Sequence, residues 1–370
     1  MKNRTVLFCG GHQTPAIAVI EYMRKLYPTW NIIWVGRAYA FEGKSVASSE
    51  YSLITSMHIP FVPLTTGRIN RGLNMRNVRS FFKIPIGIVQ SFRIIRKYKP
   101  DCVVSFGGYI AFPVALAAYL HRIPVIIHEQ THTLGLSNAF IANLAAKVCV
   151  TYPETLNSIK KVKGVVTGLP IRSGIFYPPQ NPSFSVKDST IPLLYITGGS
   201  TGAQSLNDIL FTFIPELVRD YVVIHQTGTL SYEKALQVKN TLGTYAKRYI
   251  ISPFFQVSDV AWIYDQAALI IGRSGANTVA EVSTLQKKAL FVPLPWAGNN
   301  EQEKNARWYK ETGTAEIVLQ KELTHETFFY ALHTVLDGSE KKGPKRALQV
   351  DGAKNMVLEI DALMSSCDRN

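Results

Sequence analysis

The chain has 370 residues, a formal charge of +14 with a pI of about 9.5, and is 46% hydrophobic, 11% aromatic and 18% charged. That length predicts two domains, and that composition excludes a disordered or collagen-like chain. No apolar run reaches the roughly 20 residues of a spanning helix, and MKNRTVLFCGGHQTP lacks the apolar core and cleavage site of a signal peptide.

TVLFC (5–9) reads as a strand, Gly10-Gly11-His12 as a turn, and PAIAVIEYMRKL as the helix after it. NIIWVG (31–36) is a second strand and HIPFVPL (58–64) a third. Residues 51–100 hold nine Arg and Lys and no Asp or Glu. Within them, 68–99 mixes cations with Phe81, Phe82, Ile84 and Ile86. Such a segment is either a solvated helix face or a docking surface for an anionic membrane. No nucleic-acid module accompanies it, so a nucleic-acid partner is not expected. DCVVSFGGYI (101–110) is a strand running into Gly107-Gly108-Tyr109, followed by a helix; IPVIIHE (123–129) and KVCVTYP (147–153) are further strands. Strands alternating with helices predict an α/β fold with parallel sheets. Cys9, Cys102, Cys149 and Cys367 are far apart and read as reduced thiols of a cytoplasmic protein.

IIHEQTHTLG (126–135) contains His128-Glu129-x-x-His132, the spacing of a zinc-protease helix. The run before it is β-prone, and Thr131, Thr133 and Gly135 follow. His128 and Glu129 are therefore placed at the carboxyl end of a strand, where ligands bind in open α/β sheets, so the pair is either a ligand contact or a hydrogen-bond pair that orients the loop. His132 falls in a loop, so no metal site is expected.

Residues 173–192 contain four prolines and are read as the linker between domains 1–172 and 193–370. The strand–glycine-loop–helix pattern then restarts at IPLLYITGGSTGAQSLN, where Gly198, Gly199, Ser200 and Gly202 suit an anion such as phosphate. YVVIHQTG, RYIISPFF, AALIIG and KKALFVPLP supply more strands. GRSGANTVAEV (272–282) places Ser274, Gly275, Asn277 and Thr278 at a helix start and Glu281 one turn on, where a carboxylate can take a ribose diol or serve as a plain helix-dipole residue. Gln302 and Asn305 offer two amides on one helix face, and Arg172 is either a phosphate clamp or an interdomain ion pair.

Eight stretches in this order, GGHQTPAIAV, FGGYIAFPVALAAYL, IPVIIHEQTHTLGLSN, TGLPIR, TGGSTGAQSLN, IHQTG, GRSGANTVAEV and NNEQEKNA, resemble the MurG family. These are peripheral glycosyltransferases that add N-acetylglucosamine to lipid I. The resemblance implies a GT-B fold, two Rossmann-like domains facing across a cleft, with the last helix packing back on the first domain. It assigns Arg172, Gly199, Ser200, Gly202, Ser274, Gly275, Asn277, Thr278, Glu281, Gln302 and Asn305 to the UDP-N-acetylglucosamine donor. Gly10, Gly11, Gly107, Gly108, Tyr109, His128, Gln130 and Thr131 go to the undecaprenyl-diphosphate-linked acceptor, with His12 as base and Glu129 as its rival.

The implied reaction is an inverting transfer at the cytoplasmic face of the membrane. No Asp-x-Asp occurs, so neither metal nor other cofactor is expected. The chain departs from the family where Leu7, Phe8 and Cys9 precede Gly10-Gly11-His12 in place of Gly-Gly-Thr, where Thr131 replaces Asn, and where Asn277 replaces Leu. The rival readings are a transferase for another glycolipid or lipopolysaccharide, a UDP-N-acetylglucosamine 2-epimerase, and a sugar-nucleotide-binding module without turnover. A dehydrogenase would need the Gly-x-Gly-x-x-Gly fingerprint, which is missing.

Overall fold

The structure is a computed structural model that describes residues 3–39, 48–67, 83–159, 163–186, 190–199, 202–338 and 351–368. Two compact units divide the chain: Met1–Arg172 with Gln349–Asn370, and Ser173–Leu348.

The first unit holds seven parallel strands. They are β1 (Thr5–Cys9), β2 (Asn31–Gly36), β3 (Phe61–Pro63), β4 (Cys102–Ser105), β5 (Val125–Glu129), β6 (Lys147–Val150) and β7 (Lys163–Val166), in the order β3-β2-β1-β4-β5-β6-β7. Alternation along β1 divides the core. Val6 and Phe8 join one apolar cluster with Ile17 and Ile20, and Leu7 and Cys9 join another with Val114 and Ala118. Both faces are covered, which is why the strands read as unbroken apolar runs. The helix Gly352–Cys367 adds Met356, Val357 and Ile360 to the first cluster, and Arg4 pairs with Asp368 and Lys147 with Glu359. The chain's last helix is thus built into the unit that contains its first strand. Cys9, Cys102 and Cys149 are free buried thiols; burial pushes the Cys9 thiol up to about 12.

The second unit holds β8 (Leu193–Thr197), β9 (Val222–Gln226), β10 (Tyr249–Ser252), β11 (Ala267–Gly272), β12 (Ala289–Phe291) and β13 (Ala315–Ile317), parallel and in the order β10-β9-β8-β11-β12-β13. Leu194 and Ile196 pack with Leu206, Leu210, Phe328 and Leu332, while Tyr195 meets Tyr264 edge-on. The proline-rich stretch read as a linker is packed onto this unit as far as it is described. Ile175 is buried, Ser183 donates twice to Asp259, and Phe184 packs against Phe255 and Trp262. Its prolines break periodicity without freeing the chain.

In each sheet the chain winds outward in both directions from the first strand. β1 and β4 are neighbours in the first unit, β8 and β11 in the second. The crossovers diverge there, leaving a crevice outside the carboxyl ends, the place where doubly wound sheets bind ligands.

Candidate active site

The first crevice is built by two glycine pairs pressed backbone to backbone. Gly10 has φ +135°, and a Cβ on it would lie 2.8 Å from Phe106 N and 2.9 Å from Gly107 O. Gly11 donates its N–H to Gly107 O at 2.9 Å. Gly107 and Gly108 have φ +72° and +81°, and the Asn138 side chain packs against Gly107. Gly10, Gly11, Gly107, Gly108 and, by sequence, the half-buried Tyr109 thus meet at one point. His12 follows them and is exposed. Its Nδ1 lies 2.8 Å from the Gln130 side-chain amide. Desolvation by the surrounding protein holds the imidazole below its usual value, although the residue reaches solvent, and the Glu129 carboxylate opposes that shift.

Glu129 is 4% exposed, and its own loop engages both carboxylate oxygens. Oε1 accepts from Thr131 N (3.0 Å), and Oε2 from Gly135 N (2.9 Å) and Asn138 Nδ2 (3.0 Å). Thr131 Oγ1 lies 2.8 Å from Oε1 and 2.6 Å from Thr133 O, and its single hydrogen serves one of the two. Glu129 therefore clamps the loop 131–138, which is the loop-orienting alternative for this pair. Thr131 is a strut of the same clamp. His128 departs from its expected place facing the acceptor. It is 2% exposed, and its Nε2–H donates to Gly168 O at 3.0 Å, so it ties β5 to the loop after β7. Burial lowers its pKa to about 4. His132 stacks on Tyr152 at 3.6 Å, and the HEQTH run is strand then bend, so its two histidines share no helix face. Among the described residues no cluster of three His, Cys, Asp or Glu side chains is placed to hold a metal.

Asn138, with Ser137 donating to Gly108 O at 2.7 Å, is a site residue that sequence reasoning passed over. Its signal was present, since GLSN lies inside a stretch that resembles the family.

The second crevice repeats the device. A Cβ on Gly198 would lie 2.5 Å from Ala203 N, Gly199 and Gly202 have φ of +74° and +75°, and Gly202 meets Gly228. Behind the loop, Asn207 donates to Thr227 O and bonds His225, whose other nitrogen meets Tyr249 Oη. Across from it the helix Ala276–Thr284 begins at Gly275 with no side-chain cap and no acid in its first turn. Its free N–H groups and positive dipole end face outward from the sheet edge, as anion sites require. Thr278 Oγ1 would be 3.9 Å from a Cβ on Gly199, which places loop and helix start together. Asn277 is half-buried beside it and Glu281 is 8% exposed one turn on, accepting from Tyr264 Oη at 3.1 Å. Ser200 lies outside the described residues. Arg172 closes the first unit, half-buried, and its charge acts on Glu21.

Two donor-side expectations change. Asn305 is fully buried and donates to Ser274 O at 3.1 Å, while Ser274 Oγ donates to Gln302 O at 2.7 Å. Asn305 and Ser274 therefore lock the β11 loop to the helix Glu301–Thr312 and do not face a ligand. Gln302 is half-buried, and its Oε1 accepts from Leu294 N at 3.1 Å, which leaves the amide's donor end. Arg273 was not singled out as a site residue. It is 4% exposed and donates to Val292 O, Pro293 O, Ser205 Oγ and Gln320 Oε1. Burial lowers it to about 10, so it stays charged at neutral pH and sets a cation beneath the glycine loop.

Residues 9–150 match the family description "Glycosyltransferase family 28 N-terminal domain" and residues 193–359 match "Glycosyltransferase family 28 C-terminal domain". A relative from Clostridium tetani is 32% identical over 98% of this chain and 98% of its own length. It is named UDP-N-acetylglucosamine–N-acetylmuramyl-(pentapeptide) pyrophosphoryl-undecaprenol N-acetylglucosamine transferase. The crystal structure of MurG from Acinetobacter baumannii is 28% identical, with a TM-score of 0.69 over 97% of this chain and 99% of that one. A UDP-GlcNAc 2-epimerase from Neisseria meningitidis, bound to UDP-GlcNAc, superposes with a TM-score of 0.64 at 13% identity over 97% of this chain and 100% of that one, a likeness of fold alone.

Neutral buried His128 makes stability pH-dependent. Its folded pKa of about 4 lies below the ordinary 6.5, so between those values the unfolded chain binds a proton that the folded chain refuses. Stability is therefore full above about 6.5 and falls as pH drops toward 4, by on the order of 3 kcal/mol for this residue. Urea unfolding of wild type and His128→Gln at several pH values is expected to show about one proton less linkage in the variant across this window.

Proposed function

The chain belongs to glycosyltransferase family 28, and on that premise we propose that it moves N-acetylglucosamine from UDP-N-acetylglucosamine to the muramyl sugar of an undecaprenyl-diphosphate-linked acceptor. The product in peptidoglycan synthesis is lipid II made from lipid I. The observation that carries this reading is near-full-length identity to relatives named for that reaction, 32% over 98% of both chains. Two crevices of suitable chemistry, one in each unit, support it.

The second unit's crevice suits the donor. The helix start at Gly275–Thr278 offers backbone N–H groups to a diphosphate, with the glycine loop at Gly199 and Gly202 giving it room and the buried Arg273 charge nearby. Glu281 accepts from the ribose hydroxyls, and Gln302 offers its amide N–H to the sugar. The first unit's crevice suits the acceptor. An acceptor hydroxyl oxygen bonds to the anomeric carbon as the carbon–oxygen bond to UDP breaks, inverting the centre. The hydroxyl proton passes to His12, and the charge left on UDP rests on the N–H groups and the cation named above. His12 is favoured as base because its imidazole is exposed and below its usual pKa, hence unprotonated at neutral pH, and with the Gln130 amide turned so that Oε1 accepts from Nδ1–H its Nε2 is free to take the proton, whereas both Glu129 oxygens are engaged by its own loop.

The acceptor is a lipid, and no described helix is long and apolar enough to cross a membrane. Docking on the anionic cytoplasmic face is assigned to the basic–apolar segment 68–99, of which 68–82 lie outside the described residues. In the helix Ile84–Tyr98, Ile86 and Val89 are 49% and 50% exposed, and the exposed Arg93 and Arg96 continue the same helical stripe. Replacing Arg93, Arg96 and Lys97 by Glu is expected to weaken sedimentation with anionic vesicles at low salt, each cation near such a surface contributing about 1 kcal/mol. Equal sedimentation of both proteins, at low and high salt, removes the membrane role from this helix.

Donor and base separate by mutation. Glu281→Ala is expected to weaken UDP binding about 10- to 100-fold, the cost of about 1.5–3 kcal/mol for a hydrogen bond to a charged group. His12→Ala is expected to leave UDP affinity nearly unchanged and lower turnover about 10²- to 10⁴-fold. Calorimetry with UDP and a transfer assay on both variants decide; normal turnover in His12→Ala would contradict its role as base.

A further inference from the structure

We propose that Tyr264 is a positioning residue of the donor site, holding the Glu281 carboxylate for the ribose and so setting the preference for ribonucleotide over deoxyribonucleotide diphosphates. The inference rests on the donor-site reading above. Tyr264 lies in the helix Val257–Gln266 before β11, and Glu281 in the helix Ala276–Thr284 after it. The phenol reaches across and donates to Glu281 Oε2 at 3.1 Å. Both residues are buried, at 2% and 8% exposure, and the Tyr264 ring is fixed by edge-on packing against Tyr195 with centroids 5.7 Å apart.

A buried phenol and a buried carboxylate each need a partner, and mutual satisfaction alone would explain the bond. Placement adds more. Glu281 shares a helix face with Thr278, three residues before it, and Thr278 borders Gly199 of the glycine loop. The carboxylate that Tyr264 holds therefore lies one turn below the helix start that faces the crevice. A carboxylate free to rotate loses conformational freedom when two hydroxyls bind it; one already held by a rigid phenol does not. The phenol also takes one carboxylate oxygen in a fixed direction, which fixes where the other points.

Calorimetry on wild type, Tyr264→Phe, Glu281→Gln and the double variant tests this, with UDP, 2′-deoxy-UDP and inorganic pyrophosphate as ligands. Tyr264→Phe keeps the ring and its packing on Tyr195. The expected result is a loss of UDP affinity of about tenfold, a smaller loss for 2′-deoxy-UDP, and no change for pyrophosphate, which has no ribose. Adding Tyr264→Phe to Glu281→Gln is expected to cost little more, because the two act through one contact. Wild-type affinity and wild-type UDP preference in Tyr264→Phe, with loss in Glu281→Gln, would overturn the role of Tyr264 and leave the donor site standing. An equal loss for pyrophosphate would also overturn it, marking a general structural effect. Wild-type UDP affinity in Glu281→Gln would sink the donor-site assignment itself, and the inference with it.

Discussion

At the carboxyl edge of each sheet, backbone meets backbone with no room for a side chain. Gly10 sits where a Cβ would press on Phe106 and Gly107, and Gly198 where one would press on Ala203. In the first unit this close approach lets the loops after the first strand and its switch-point neighbour converge on one crevice, and in the second it folds the loop after Leu193–Thr197 tightly on itself. A methyl group at either place would spread the loops, and His12 in one unit or the Gly199–Thr278 contact in the other would move with them. The remaining polar groups of the site hold that approach in place.

Much of the site is scaffolding. Glu129, Asn138 and Thr131 clamp one loop, Ser274 and Asn305 another, and Arg273 ties β12 to the start of the helix Gln204–Leu210. Where both groups of such a pair are buried, losing one strands the other at a cost of about 1–3 kcal/mol, and more where the stranded group is charged. The proposed ligand groups are fewer: an exposed imidazole, a helix start, a carboxylate held by a phenol, and the donor end of one amide.

The architecture was legible because its signals are local. The runs at Thr5–Cys9, Asn31–Gly36 and Ala267–Gly272 are largely apolar with no polar–apolar alternation, as doubly covered parallel strands are expected to be. Strands β7 and β13 were missed; both are short edge strands, and Lys163 and Glu316 break their apolar pattern. The glycine loops were legible because few residues other than glycine tolerate φ near +75°. Side-chain direction was not. Nothing in NNEQEKNA says that Asn305 turns inward to Ser274 while Gln302 stays half-buried, and nothing in HEQTH says which donors of its own loop engage the two oxygens of Glu129. Those facts depend on contacts between residues brought close only by the fold.

The central claim is transfer of N-acetylglucosamine to a lipid-linked muramyl acceptor. The full chain is incubated with UDP-N-acetylglucosamine and undecaprenyl-diphosphate-linked acceptors that differ in the sugar, and products are read by mass spectrometry. The account predicts a mass gain of one N-acetylhexosamine on the muramyl-pentapeptide acceptor, with UDP released in equal amount. Transfer only to a different sugar, or free 2-epimerised N-acetylhexosamine nucleotide with no acceptor modified, would contradict it.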